Sequence, residues 1–146
     1  MTRIGIVGAG AGAAAAAYAL RDTDADVTVL EKSRGVCGRA ATRRRDGYTY
    51  VYDYGANYIK SDDGRVSRLV TEELDTDGLV DVTEPVWTFD ASGAISEGRD
   101  ADDHKWSYER GLTQVAKRLF GATEATVHRR TRVETIHRGA DSTWSL

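Results

Sequence analysis

The first 31 residues carry the clearest hydrophobic pattern in the chain. Residues 4–7 are predicted to form a short buried strand, and the alanine-rich run over 13–21 is predicted to form a helix. The glycine-rich stretch between them predicts a turn, and residues 27–30 predict a second strand. Strand, turn, helix and strand in this order form a βαβ unit, whose strands should be parallel and joined by a right-handed crossover.

Later patterns predict shorter elements. Tyrosines at 48, 50, 52 and 54 predict a strand with one aromatic face, which we expect to pack in a core or an interface, with a substrate pocket as the alternative. Apolar residues at helical spacing predict helices over 64–74 and 112–120. A hairpin is predicted over 86–95, and further strands are predicted over 125–127, 131–136 and 143–146.

Composition narrows the class of protein. With 146 residues, 40% of them hydrophobic and 29% charged, the chain suits a folded domain rather than a disordered tail or a membrane bundle. Its net charge of −3 disfavours a nucleic-acid partner. The single cysteine, Cys37, excludes an internal disulfide, and we expect a cytoplasmic protein with no membrane partner. Residues 4–20 loosely resemble a secretion signal, but their glycines would weaken its apolar helix.

One segment departs from the acidic average. Residues 31–46 hold six basic side chains against two acidic ones. A basic loop on an otherwise acidic chain indicates an anionic ligand. The three histidines are scattered and show no metal-ligand spacing, so the sequence predicts no metal site and leaves the catalytic residues unknown.

The predicted turn after the first strand matches the dinucleotide-binding pattern G-x-G-x-x-G/A. Its first glycine allows a tight turn, its second lets a pyrophosphate approach the backbone, and its last small residue allows close packing of helix and strand. The helix N-terminus then offers free N–H groups to the phosphates. The alternative is a glycine-rich turn beside a tightly packed helix. The matching residues are Gly8, Ala9, Gly10, Ala11, Gly12 and Ala13.

Glu31 follows the second strand, where an acidic residue commonly binds the ribose of a dinucleotide. A carboxylate accepts hydrogen bonds from a ribose diol and repels a 2′-phosphate, which favours FAD or NAD over NADP. The same glycines also fit the G-x-G-x-G pattern of S-adenosylmethionine-dependent methyltransferases. Against that alternative, residues 6–7 are apolar where those enzymes usually carry an acidic residue.

The next segments carry a family resemblance. Residues 31–39 resemble the E-K-x-x-x-x-G-G-R segment of the amine-oxidase-like FAD superfamily, and residues 53–58 are similar to its D-x-G-A-x-x segment. Residues 108–112 and 133–146 fit the spacing of the renalase-like branch. The chain departs from the pattern at Cys37, which replaces a glycine and would be strained if that position needs a positive φ. Ala13 replaces the third glycine of the turn, a substitution that is commonly tolerated.

The resemblance implies FAD as the cofactor and assigns further binding residues. It implies that Gly38 and Arg39 contact the pyrophosphate, that Thr42 adds a hydroxyl contact, and that Val133 pairs its backbone with the adenine. It also implies that the backbone passes close to the flavin at two small residues. The residues added by the resemblance are Lys32, Gly38, Arg39, Thr42, Gly55, Ala56 and Val133.

The resemblance also implies a fold and an activity. The fold is α/β, with a Rossmann-like FAD-binding βαβ domain on a parallel sheet and part of a smaller α+β substrate domain. Residues 1–60 would form the FAD-binding portion, 61–108 part of the substrate domain, and 109–146 a return to the first domain. Members are roughly twice as long, so we expect a front portion whose open sheet edges favour self-association.

Two classes of function stay open. The first is an FAD-dependent oxidoreductase, or its N-terminal FAD-binding portion, that oxidises an amine or a reduced nicotinamide by hydride transfer to the flavin. The alternatives are a nucleotide-binding fragment without catalysis and an NAD-dependent Rossmann enzyme. The segments at residues 38–39 and 55–56 argue against the last, because plain NAD folds do not need them.

Overall fold

The structure is a computed structural model that describes residues 2–48, 50–98, 102–141 and 143–145. Its helices are α1 (Ala11–Ala19), α2 (Gly64–Arg68) and α3 (Thr113–Gly121), with 3-10 turns at Gly38–Ala40 and Asp46–Tyr48 and a π-helical turn at Leu69–Glu73. Its strands are β1 (Arg3–Val7), β2 (Asp26–Glu31), β3 (Thr42–Arg45), β4 (Tyr50–Asp53), β5 (Leu79–Asp81), β6 (Thr88–Phe89), β7 (Ile95–Ser96), β8 (Trp106–Tyr108), β9 (Thr126–Arg129), β10 (His137–Arg138) and β11 (Trp144–Ser145).

A parallel sheet in the order β1-β2-β9 organises the fold. Ile4 pairs with Val27 between the first two strands, and Val29 pairs with Val127 between the second and third. Helix α1 makes the crossover between β1 and β2, as the sequence predicts. The predicted α/β class, a Rossmann-like fold on a parallel sheet, is therefore confirmed.

The alanines of α1 let it pack closely on two sides. Ala17 is buried in a cluster with Val27 and Val29 of the sheet, while Ala14 is buried in a second cluster with Ala116 and Leu119 of α3. Small side chains with high helix propensity allow this close approach without bulk on either side. Because β1 ends at Val7 and α1 begins at Ala11, the N-terminus of this closely packed helix lies directly beyond the end of β1.

The remaining strands form four small antiparallel pairs, namely β3 with β4, β5 with β8, β6 with β7, and β10 with β11. The β3–β4 ribbon is fastened to the start of α3 through Thr42. Its hydroxyl donates to Asp53 Oδ1 at 2.6 Å and accepts from the backbone N–H of Thr113 at 3.0 Å. The Thr42 N–H in turn donates to the Thr113 hydroxyl at 2.6 Å.

Several predicted elements are corrected by the structure. Residues 131–136 contain no strand, and the predicted helix over 64–74 is α2 followed by the π-helical turn. The predicted strand over 143–146 shortens to β11, and residue 146 lies outside the described residues. The predicted aromatic strand over 48–54 shortens to β4, and Tyr50, Tyr52 and Tyr54 are exposed by 59%, 43% and 57%, so they are not core residues.

Two further predictions bear on organisation. The division into segments 1–60, 61–108 and 109–146 stays a prediction, although β9 does join the sheet of β1 and β2. In the part of the chain that the structure describes, no helix is long and apolar enough to cross a membrane. The segment that loosely resembles a secretion signal is folded here as β1, the glycine turn and α1.

Candidate functional site

The glycine turn lies at the carboxyl end of β1 and opens α1. Gly8 has a φ of 90° and donates its N–H to Leu30 O at 2.8 Å, which continues the sheet ladder into the turn. Gly10 is the N-cap of α1, and no described side chain caps this end or carries an acidic group in its first turn. A Cβ on Gly8, Gly10 or Gly12 would meet nothing within 4 Å. The N–H groups of Gly8 and Ala9 donate to Leu30 and Glu31, so the uncapped N-terminus of α1 is the part of this turn that can offer N–H groups to an anion.

Two distant segments converge on this turn. The N–H of Cys37 donates to Ala9 O at 2.8 Å, and Gly38 comes so close that its Cβ would lie 3.5 Å from the Cα of Gly10. Gly55, beyond β4, has no room for a Cβ at all, because the carbonyl oxygen of Arg39 occupies that position. The three segments that carry the sequence motifs thus meet at one place.

Cys37 lies in the left-handed region, with a φ of 80°. The strain that the sequence predicts for a cysteine in this position is therefore present. Its side chain is 2% exposed and packs in the cluster that contains Ala14 and Leu119. Burial raises the pKa of the Cys37 thiol, so it stays protonated and unreactive near neutral pH.

Glu31 ties the glycine turn to the segment that follows β2. One carboxylate oxygen accepts from the N–H of Ala9 at 2.7 Å and the other from the N–H of Ser33 at 2.6 Å. Burial raises the pKa of Glu31, but these hydrogen bonds and the charge of Lys32 outweigh it, so the pKa is lowered. Each oxygen has a second lone pair, so the carboxylate retains acceptors for ribose hydroxyls.

Thr42 has a different environment from the one implied by the resemblance. Its hydroxyl proton is donated to Asp53, and the side chain is 8% exposed. Asp53 also accepts from the N–H of Leu112 at the start of α3. Sequence reasoning missed Thr113, the third member of this network, because a threonine at a helix start gives no signal of a distant partner. A phosphate contact by Thr42 stays a prediction.

The remaining predicted site residues lie nearer the surface. Lys32, Arg39 and Ala56 are exposed, and Val133 is half-buried. Among the described residues, the guanidinium of Arg39 has no hydrogen-bond or ion-pair partner. Its charge is therefore available to a ligand. The described residues hold no cluster of metal-ligating side chains.

Comparisons with known proteins concern the fold of the chain. Residues 6–72 match the family model of the NAD(P)-binding Rossmann-like domain. The fold is a Rossmann-like dinucleotide-binding fold. No curated protein sequence matches the chain.

One solved structure extends the fold likeness beyond residue 72. A candidate protoporphyrinogen oxidase from Exiguobacterium sp. 255-15 superposes with a TM-score of 0.64 at 17% identity, over 95% of this chain and 55% of that one. Putrescine oxidase aligns with a TM-score of 0.40 at 23% identity, over 67% of this chain and 21% of its own. The chain therefore spans little more than half of the first structure and about a fifth of the second.

Proposed function

We propose that this chain is the FAD-holding portion of a flavin-dependent oxidoreductase of the amine-oxidase-like superfamily. The observation that carries the proposal is the meeting of the glycine turn, the turn at Gly38–Ala40 and Gly55 at one place. An ordinary NAD-binding βαβ unit needs only the first of these three. A flavin dinucleotide is longer than NAD and more rigid at its reactive end. Additional backbone close to its pyrophosphate would hold it in place.

Each residue has a defined task in this proposal. The N–H groups at the start of α1 and the guanidinium of Arg39 bind the pyrophosphate, since a planar guanidinium can donate two hydrogen bonds to one phosphate. Glu31 accepts hydrogen bonds from the adenosine ribose, with Lys32 beside it, and the backbone of Val133 pairs with the adenine. Gly55 and Ala56 keep side chains away from the flavin end. The open space over Gly8, Gly10 and Gly12 supports this fit.

The activity would be oxidation of an amine or a reduced nicotinamide. A bound flavin supplies the hydride acceptor, and the protein binds, orients and excludes water. The substrate would be a small molecule, the protein cytoplasmic, and oxygen the final acceptor. The name of the candidate protoporphyrinogen oxidase fits an oxidase of some kind, although the chain spans only 55% of that structure.

A nucleotide-binding module without catalysis is the second candidate. The contacts of the glycine turn and of Glu31 would serve this candidate equally well, because they hold a cofactor without acting on a substrate. The two candidates share the cofactor and differ in whether substrate reduces it.

The test is a visible spectrum of the purified chain after incubation with excess FAD and desalting. The proposal predicts a yellow protein with near-stoichiometric flavin, and a colourless protein would refute FAD holding by this chain. Anaerobic addition of an amine or NADH to the yellow protein then separates the candidates. Bleaching supports the oxidoreductase, whereas a stable oxidised spectrum supports the module. Incubation with NAD in place of FAD is the matched control.

A further inference from the structure

Three arginines line one cleft at the carboxyl ends of β2 and β9. The cleft has a volume of about 410 Å³ and is lined by Arg34, Val127, His128, Arg129 and Arg130. Ligands of open parallel sheets bind beyond the carboxyl ends of the strands. The cleft therefore occupies a functional edge of this sheet, beside the glycine turn rather than within it.

Backbone hydrogen bonds hold the two sides of the cleft together. The N–H of Arg130 donates to Ser33 O at 3.0 Å, and the N–H of Thr131 donates to Glu31 O at 2.8 Å. The guanidinium of Arg129 reaches the carbonyl oxygen of Arg34 at 3.5 Å. The main chain thus keeps Arg34 adjacent to Arg129 and Arg130, which lie nearly a hundred positions later, so the three side chains leave the backbone in one region.

The positive charge in the cleft is not neutralised by the protein. Over the described ranges, no carboxylate lies within ion-pair distance of Arg34, Arg129 or Arg130. Glu31 is the register partner of Arg129, but its carboxylate is turned to the N–H groups of Ala9 and Ser33. All three arginines are exposed, so solvent screens their mutual repulsion, and an anion bound among them would lower it further.

Arg130 adds a second, independent indication. Its φ is 59°, a left-handed conformation that costs free energy for any residue except glycine. Non-glycine residues in strained conformations are found at functional sites more often than elsewhere, although Asp46 and Asp102 of this chain also have a positive φ. Here the strained residue contributes one of the three guanidiniums.

We propose that this cleft binds a phosphate group, as a phosphate monoester or as orthophosphate. Guanidiniums present planar forks that match phosphate oxygens, and three of them suit a dianion better than a carboxylate. The sequence argument that Glu31 repels a 2′-phosphate is countered here by three nearby positive charges. The inference goes beyond FAD holding, because FAD carries no phosphate on its adenosine ribose. The phosphate would come either from a phosphorylated adenosine ribose or from free orthophosphate.

The test is calorimetric titration of the full chain with orthophosphate, 5′-AMP and 2′,5′-ADP at constant ionic strength, so that general screening is equal. The variants are Arg34→Gln and Arg130→Gly, and glycine suits the backbone conformation at position 130. The control is Arg132→Gln, which removes the same charge from a residue that lies outside the cleft and pairs with Glu134 at 3.6 Å. Thermal melting of each variant shows that it is folded.

The proposal predicts orthophosphate or 2′,5′-ADP binding that each cleft variant weakens about tenfold, or about 1.4 kcal/mol, while Arg132→Gln leaves it unchanged. If 2′,5′-ADP binds more tightly than 5′-AMP, the source is a phosphorylated ribose; if only orthophosphate responds to the variants, the source is free phosphate. Absence of binding by orthophosphate and by 2′,5′-ADP, or equal weakening by Arg132→Gln, would overturn the proposal. Flavin absorbance in the same samples keeps the outcome for FAD separate.

Discussion

The carbonyl oxygen of Arg39 occupies the position that a Cβ on Gly55 would need. This relationship explains why a glycine follows β4 at this point. It also joins the turn that bears the Arg39 guanidinium to the segment expected at the flavin end of the site. One backbone contact therefore links two regions that the sequence could only assign separately.

We predict that Gly55→Ala destabilises the fold. The added methyl must displace the backbone of Arg39, and such overpacking typically costs about 1–3 kcal/mol. The measurement is the denaturant midpoint of unfolding. Gly64→Ala is the matched control, since its Cβ would meet nothing within 4 Å at the first residue of α2. If both variants unfold at the midpoint of the original chain, the close contact between Gly55 and Arg39 is wrong.

Cys37 gives a prediction about backbone strain. Both Cys37→Gly and Cys37→Ala remove the buried sulfur, but only glycine relaxes the φ of 80°. The glycine variant should therefore be more stable than the alanine variant by about 1 kcal/mol, the usual penalty for a left-handed residue with a Cβ. Thermal melting of the pair measures the difference. Greater stability of the alanine variant would contradict the left-handed conformation.

The lowered pKa of Glu31 predicts how the free energy of unfolding depends on pH. Because its pKa is lowered in the folded state, its contribution is fully present above the unfolded pKa of about 4.3 and is lost as pH falls through the folded value. Glu31→Gln should cost about 1.5–3 kcal/mol at pH 7, since both N–H groups lose a charged acceptor.

The stability difference between the original chain and Glu31→Gln should shrink when unfolding is repeated below pH 4. The exposed Glu124→Gln serves as the control and should change little at either pH. A difference that stays constant with pH would show that the ionised carboxylate of Glu31 contributes nothing to folding.

The local patterns of the chain predicted the βαβ unit well and the rest unevenly. The unit was predictable because strand, turn and helix signals lie within residues 4–31. Strand β3 was not predicted, because a threonine and three arginines have no apolar alternation, and the strand depends on Asp53 and Thr113 far along the chain. The predicted strand over 131–136 had alternation but gains no ladder among the described residues. In both cases, the outcome depended on whether the segment pairs with a distant part of the chain, which local patterns do not show.

The candidate site shows the same division. The glycine turn and Glu31 were predictable from spacing, whereas the strain at Cys37 followed from the family resemblance, whose pattern has a glycine at that position. The engagement of Glu31 with the N–H groups of Ala9 and Ser33 was not, because it depends on how the segment after β2 folds back. The cleft formed with Arg129 and Arg130 also needs the register of β9 against β2.

The central claim is that the open backbone of the glycine turn holds the pyrophosphate of FAD. Its most direct test is a titration of FAD into the original chain and into Gly10→Ala. A Cβ on Gly10 meets nothing within 4 Å, and its φ of −72° suits alanine, so this variant should fold with a loss of at most about 1 kcal/mol. Its methyl group would stand where the pyrophosphate approaches. We predict that FAD binds the original chain and binds Gly10→Ala at least about tenfold more weakly, or about 1.4 kcal/mol. Equal affinity for the two proteins, or no binding to the original chain, would contradict the claim.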